Sequence, residues 1–124
     1  MITPRKIKVL VVDDEKVVRD VLTRFLNLKG IEVKTVEDGL QVVEIVKQEE
    51  FDLVFAEIKM CKKGGLEVFR EVKKLMPEIK FIITTAYAPQ EMLEQAKQEG
   101  VIVCIKKPFD FEEIVMILKE LHLL

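Results

Sequence analysis

The chain is poor in several features on which whole classes of protein depend. It holds two cysteines, Cys61 and Cys104, without metal-type spacing and without a second pair beside either. That argues against a disulfide framework or a zinc site and fits a reducing, cytoplasmic compartment. Neither sign of charge dominates: 20 Lys and Arg against 22 Asp and Glu leave a net of −2. A nucleic-acid footprint and a polybasic membrane patch are therefore not expected. No apolar run approaches the about 20 residues that a bilayer span requires, and the opening MITPRKIKVLVV has no small-residue cleavage site ahead of its first strand. With 5 Gly and 4 Pro in 124 residues, no linker, repeat or low-complexity tract interrupts the chain. Asparagine occurs once, at Asn27, amid abundant Glu and Lys, which leans towards a heat-adapted source.

What is present is apolar and periodic. Hydrophobic residues make up 49% of the chain, enough at this length for one compact domain over residues 1–124. Five β-branched runs recur at fairly even intervals: KVLVV (8–12), IEVKTV (31–36), LVFAEI (53–58), FIITT (81–85) and VIVCI (101–105). A helical pattern follows each. Val18, Val21, Leu22, Phe25 and Leu26 fall at helical spacing before Gly30, which suits a helix C-terminus. Leu40, Val43 and Val46 repeat likewise. A third helix begins near Gly65, carries Leu66, Phe69, Val72 and Met76, and is stopped by Pro77. A fourth opens at Pro89 and ends at Gly100. The fifth has Asp110 and Glu113 in a variant capping box before Ile114, Ile117, Leu118 and Leu121.

Strands alternating with helices imply a parallel sheet with helices on both faces. The expected architecture is α/β, a five-unit doubly wound fold, since an eight-unit barrel needs about twice the length. Its apolar helix and strand positions are read as core.

In such a sheet, ligands gather outside the carboxyl ends of the strands, and here those ends are unusually polar. The first ends in Asp13 and Asp14, the third in Glu57, the fourth in Thr84 and Thr85, and the fifth in Lys106 and Lys107 before Pro108. Carboxylates crowded together repel and raise their own pKa values unless a cation sits among them. An all-oxygen donor set favours a hard ion, and few protein ligands suit Mg2+ with waters completing its shell. Lys107 can supply further positive charge, and the Thr85 hydroxyl can donate to an anion. The competing reading of each acid is a helix N-cap, a role open to Asp14 or Glu15. Capping does not explain acids at the ends of strands one and three together.

The segments VLVVDDE (9–15), DLVFAEIKM (52–60) with GGLE (64–67), IITTAY (82–87) and IKKPF (105–109) resemble the receiver domain of bacterial two-component response regulators over nearly the whole chain. The resemblance implies a flavodoxin-like sheet of strand order 2-1-3-4-5 and phosphoryl transfer from a histidine kinase to an aspartate. It places Asp13 and Asp14 at the acidic metal-binding pair and the carbonyl of Lys59 at a backbone ligand of Mg2+. It places Thr85 at the hydroxyl that responds to phosphorylation and Lys107 at the phosphoryl-contacting lysine, with a cis Lys107–Pro108 bond. Glu57 stands at the phosphoacceptor position and, as a carboxylate, among the metal ligands. Asp52 is no substitute, because it opens the strand.

Glutamate is one methylene longer than aspartate, which displaces its oxygen by about 1 Å and costs about 100-fold in a step that needs in-line alignment. Cys104 stands where receivers usually carry an aromatic switch residue, and Cys61 replaces a common proline. Cys104 is read as a small buried hydrophobe, Cys61 as an exposed thiol near the site, and Tyr87 as packed in the loop after strand four. The expected function is a pseudo-receiver, not itself an enzyme, in which Glu57 pairs with Lys107 and phosphorylation is dispensable. Two alternatives are a phosphorylatable Mg2+-dependent receiver and a small Mg2+-dependent phosphatase with an aspartate nucleophile after strand one. A third is a domain cut from a larger regulator, against which Met1 argues for a native start.

In the family, the surface of helix four, strand five and helix five binds partners or dimerises. Met92, Leu93, Ala96, Val115, Met116 and the closing LHLL offer apolar groups there. A kinase, a downstream effector or a second copy is the expected partner; the competing reading is that these residues pack the sheet or fray at the terminus. His122, near a helix end, is read as a surface residue.

Overall fold

A computed structural model describes residues 5–124, so the expectations attached to Met1 and the opening residues lie outside the described part. In chain order the elements are β1 (Lys8–Val12), α1 (Lys16–Leu28), β2 (Glu32–Val36), a 3-10 turn (Gly39–Gln41), α2 (Val42–Gln48), β3 (Leu53–Glu57), α3 (Gly65–Leu75), β4 (Lys80–Thr85), α4 (Gln90–Glu99), β5 (Val103–Lys106) and α5 (Phe111–Glu120). The strands pair in parallel in the order β2-β1-β3-β4-β5, as expected of a doubly wound fold. No helix among the described residues is long and apolar enough to cross a membrane.

Period-two alternation along the central strands feeds two cores. Leu10 and Val12 of β1, Val54 and Ala56 of β3, and Phe81 and Ile83 of β4 point to the face covered by α2, α3 and α4. Val9, Val11, Leu53, Phe55 and Ile82 point to the other, under Leu22 and Leu26 of α1 and Ile114 and Leu118 of α5. Each such buried Leu, Ile or Phe stabilises the fold by about 2 kcal/mol relative to exposure.

Chain punctuation acts largely where the residues suggest. Gly30 adopts φ +81°, its N–H bonds to Asn27 O, and Ile31 N–H bonds to Leu26 O at 3.0 Å. This paired turn satisfies the last carbonyls of α1, and the left-handed backbone it needs favours glycine. Asp110 caps α5 by accepting from the N–H groups of Glu112 and Glu113. Pro89 is the N-cap of α4 rather than its first residue.

Several apolar residues are not core. Leu40 lies in the 3-10 turn and is exposed, so the buried stripe of α2 is Val42 and Val46. The turn shifts the helical phase away from the Leu40, Val43, Val46 repeat. Val21 and Met116 are exposed. The edge strand β2 buries Val36 but leaves Glu32, Lys34 and Thr35 in solvent.

Candidate functional site

The carboxyl ends of β1, β3, β4 and β5 meet at one rim of the sheet. Backbone bonds continue the ladder past the strands and fix these ends: Asp13 N–H to Val36 O, Ile58 N–H to Thr84 O, and Lys107 N–H to Thr85 O, at 3.1, 2.9 and 2.8 Å. Asp13, Glu57, Thr84 and Thr85 are all buried. A polar group placed there must find a partner inside the protein or a ligand.

Lys107 supplies that partner for the acids. Its Nζ lies 2.8 Å from Asp13 Oδ2 and 3.1 Å from Glu57 Oε1, with Glu15 Oε1 at 3.6 Å. Glu57 curls back so that Oε2 accepts from the N–H of Ile58 at 2.9 Å. Both oxygens of the carboxylate are therefore engaged.

One ammonium serves two buried acids unequally. Burial pushes the Glu57 carboxyl above its ordinary range, and the hydrogen bond and charge of Lys107 offset this only in part. For Lys107, burial favours the neutral amine, but hydrogen bonds and charge from Asp13 and then Glu57 win, and its pKa is raised.

The acids form a second association. Carboxylate oxygens of Asp13, Asp14 and Glu15 lie within 4.8 Å of one another, with Asp13 buried and the others exposed. Among the described residues this is the one such group; it adds Glu15, which the sequence reading took for a helix cap, while Glu57 faces Asp13 across the ammonium of Lys107. The signal was the uninterrupted acidic run itself. Glu15 is the N-cap residue of α1, yet its side chain makes no cap bond; instead its N–H donates to Asp13 Oδ1 at 2.9 Å. Arg19, one turn into α1, donates to the backbone carbonyl of Asp13 at 2.7 Å, a brace the sequence reading missed.

The remaining residues fall around this pocket. Thr85 is buried and its Oγ1 has no hydrogen-bond partner. The Lys107–Pro108 bond is cis. Lys59 is exposed in the loop after β3, with its ammonium 5.7 Å from the Tyr87 ring centroid. Tyr87 does not pack in its loop: it is 75% exposed. Cys104 is half-buried against the core and its thiol pKa is raised by burial, whereas Cys61 is exposed. His122 is exposed beyond α5. Asp52 lies at the opposite end of β3, where it accepts from Arg5 and from Lys8 N–H.

Two glycines let α3 begin directly beneath the pocket. A Cβ at Gly64 would stand 2.5 Å from Ile58 O, and one at Gly65 would stand 2.7 Å from Glu57 O. The GGLE segment is thus a contact between the start of α3 and the end of β3.

Comparison with known proteins bears on this arrangement. Residues 9–119 match the response regulator receiver domain family. Sporulation initiation phosphotransferase F of Bacillus subtilis is 35% identical over 107 residues, 86% of each chain. The transcriptional regulatory protein ZraR of Klebsiella oxytoca is 33% identical over 115 residues, of which the chain spans 26% of the relative's length. A crystal structure of a CheY-like receiver domain protein from Methanospirillum hungatei JF-1 superposes with a TM-score of 0.88 at 27% identity, covering 94% of this chain and 93% of that one.

Proposed function

The chain belongs to the response regulator receiver domain family, and from that premise we propose that it is a pseudo-receiver, a protein-interaction module whose output state does not depend on phosphotransfer. The observation that carries this reading is the engagement of both Glu57 oxygens, Oε1 by Lys107 at 3.1 Å and Oε2 by Ile58 N–H at 2.9 Å. Hydrogen bonds at both oxygens lower the nucleophilicity of a carboxylate and fix its direction, and in-line attack depends on that direction. Here the longer side chain folds onto its own backbone.

Within this reading Glu57 occupies the phosphoacceptor position, Thr85 and Cys104 the switch positions, and Lys107 the phosphoryl-contact position. The Glu57–Lys107 pair holds one conformation in place of a reversible charge. A carboxylate brings one negative charge where a phosphoryl group brings nearly two, so the resemblance to a phosphorylated state is partial. Residues 1–124 act as one receiver-like domain in the cytoplasm, without enzymatic activity of its own, and histidine kinases or downstream effectors are the partner class.

The donor set fits a hard divalent cation, with three carboxylates in reach of one another and no thiol or imidazole among them. Asp13 and Asp14, with Glu57 and the Lys59 carbonyl, would hold Mg2+, and Glu15 stands close enough to join. The ion would supply positive charge to the acidic end of β1.

One observation favours a second reading, a phosphorylatable receiver: the buried Thr85 hydroxyl lacks a hydrogen-bond partner and so has a donor to offer an anion. Incubation with acetyl phosphate and Mg2+, followed by intact-mass spectrometry, separates the two. The pseudo-receiver reading expects no added phosphoryl group on the wild type and labelling of Glu57→Asp. Stoichiometric labelling of the wild type at Glu57 overturns it.

A further inference from the structure

The last turns of α3 and α4 meet in a groove of about 390 Å³. Its floor is the buried ring of Phe69, and its walls are Arg70, Lys73 and Lys74 of α3 and Glu99, the last residue of α4. Met92, Leu93 and Ala96 of α4 pack against the sheet, so Glu99 is the one α4 residue in the lining.

That lining holds three cations and one acid, a net of +2. The acid is already engaged: Arg70 Nε and Nη2 donate to the two carboxylate oxygens of Glu99 at 2.7 and 2.8 Å. Lys73 Nζ donates to the backbone carbonyl of Glu99 at 2.5 Å and stands 5.3 Å from the Phe69 ring centroid. Gly100 makes room for it, since a Cβ there would lie 2.6 Å from that ammonium. An ammonium has three N–H donors, so Lys73 is held in place with donors to spare. Among the described residues, neither Lys73 nor Lys74 forms a salt bridge.

We propose that this groove docks an acidic segment of a partner protein, in which carboxylates flank an apolar or aromatic side chain. The apolar group covers Phe69 while the carboxylates meet the ammonium groups of Lys73 and Lys74. A compact anion such as phosphate is disfavoured, because both helices end here and present carbonyls, with their partial negative charge, rather than N–H donors. A second copy across a two-fold axis sets a groove of net +2 against itself and is repelled. Nucleic acid gains little from two ammonium groups on a chain whose net charge is −2. The groove lies at the end of α3 remote from the pocket, since α3 begins beneath Glu57 at Gly65. The proposal therefore stands whether or not Glu57 accepts a phosphoryl group.

Titration of the isotope-labelled whole chain with the blocked peptide acetyl-EDFLDE-amide, read by backbone amide chemical shifts, tests this. The expected result is saturable shifts at Phe69, Arg70, Lys73, Lys74 and Gly100, with a Kd below about 1 mM in low salt. Raising salt from about 20 mM to about 200 mM should weaken binding at least about fivefold. Lys74→Glu should weaken it about tenfold, and Lys74→Arg should leave it within about twofold of the wild type. Lys74 is exposed, and unchanged dispersion of the remaining amides shows that both variants fold. No shift at these residues up to about 5 mM peptide overturns the proposal. So does equal binding of acetyl-KKFLKK-amide, or a peptide affinity indifferent to Lys74→Glu. Inorganic phosphate or an oligothymidine that reproduces the same shifts overturns it too, as do peptide shifts confined to the rim around Lys59 and Lys107.

Discussion

The ammonium of Lys107 lies 3.1 Å from Glu57 Oε1, across fifty residues of sequence and over the intervening end of β4. The same ammonium is closer still to Asp13. One cation thus ties the ends of β1, β3 and β5 together, and the pocket's electrostatics turn on it.

Removing that cation should expose the dependence. Lys107→Met retains most of the stem but leaves two buried carboxylates uncompensated, and a loss of about 3 kcal/mol is expected in urea unfolding at neutral pH. The loss should shrink in acid, as the carboxylates protonate. A loss below about 0.5 kcal/mol would place the triad with ordinary surface pairs and sink the account.

The pH dependence has a definite sign. The Glu57 carboxyl is raised above its ordinary 4.5 in the folded chain, so the unfolded chain gives up this proton first, and stability falls as pH rises from there through the folded value. The urea midpoint of the wild type relative to Glu57→Gln should therefore decline between acid and neutral pH. Lys107 is raised above 10.5, so its contribution is complete below that value and is lost as pH rises through the higher folded one. A wild-type midpoint that climbs against Glu57→Gln over the acid range refutes the assignment.

Metal binding can be read without any phosphorylation chemistry. Mg2+ at about ten times its Kd should stabilise the fold by about 1.4 kcal/mol, seen as a rise in Tm. Asp14 is exposed, so Asp14→Asn should fold normally while weakening that response. Equal melting curves with and without Mg2+ up to tens of millimolar, for wild type and variant alike, would remove the ion from the picture.

Gly65→Ala makes a counter-intuitive case. Alanine in a helix ordinarily stabilises by about 1 kcal/mol over glycine, yet here the added Cβ would meet Glu57 O at 2.7 Å and Glu57 C at 3.1 Å. Backbone cannot swing aside as a side chain does, so destabilisation of about 1–3 kcal/mol is expected. Thermal melting decides it, and a stabilised variant would mean that the start of α3 does not press on the site.

The order of strands and helices was legible because each run's period is a local property, and the pocket was legible because polar groups stand at the ends of apolar runs. What was illegible is relational. The 3-10 turn at Gly39–Gln41 shifts the phase of α2, which spacing alone does not reveal. Arg19 braces Asp13 through a backbone carbonyl, an acceptor that every residue possesses. Val17 and Met116 lie on helices whose apolar stripes are wider than their contact with the sheet, and hydrophobic spacing cannot tell buried width from exposed width.

The exposed ring of Tyr87, near the ammonium of Lys59, gives the molecule an optical property. The chain has one tyrosine and no tryptophan, so tyrosine emission arises from a single ring, held in solvent beside a loop that leaves the end of β3. A ligand that changes the surroundings of that ring is read against no other tyrosine or tryptophan signal, and the unlabelled protein becomes its own fluorimeter for events at the rim.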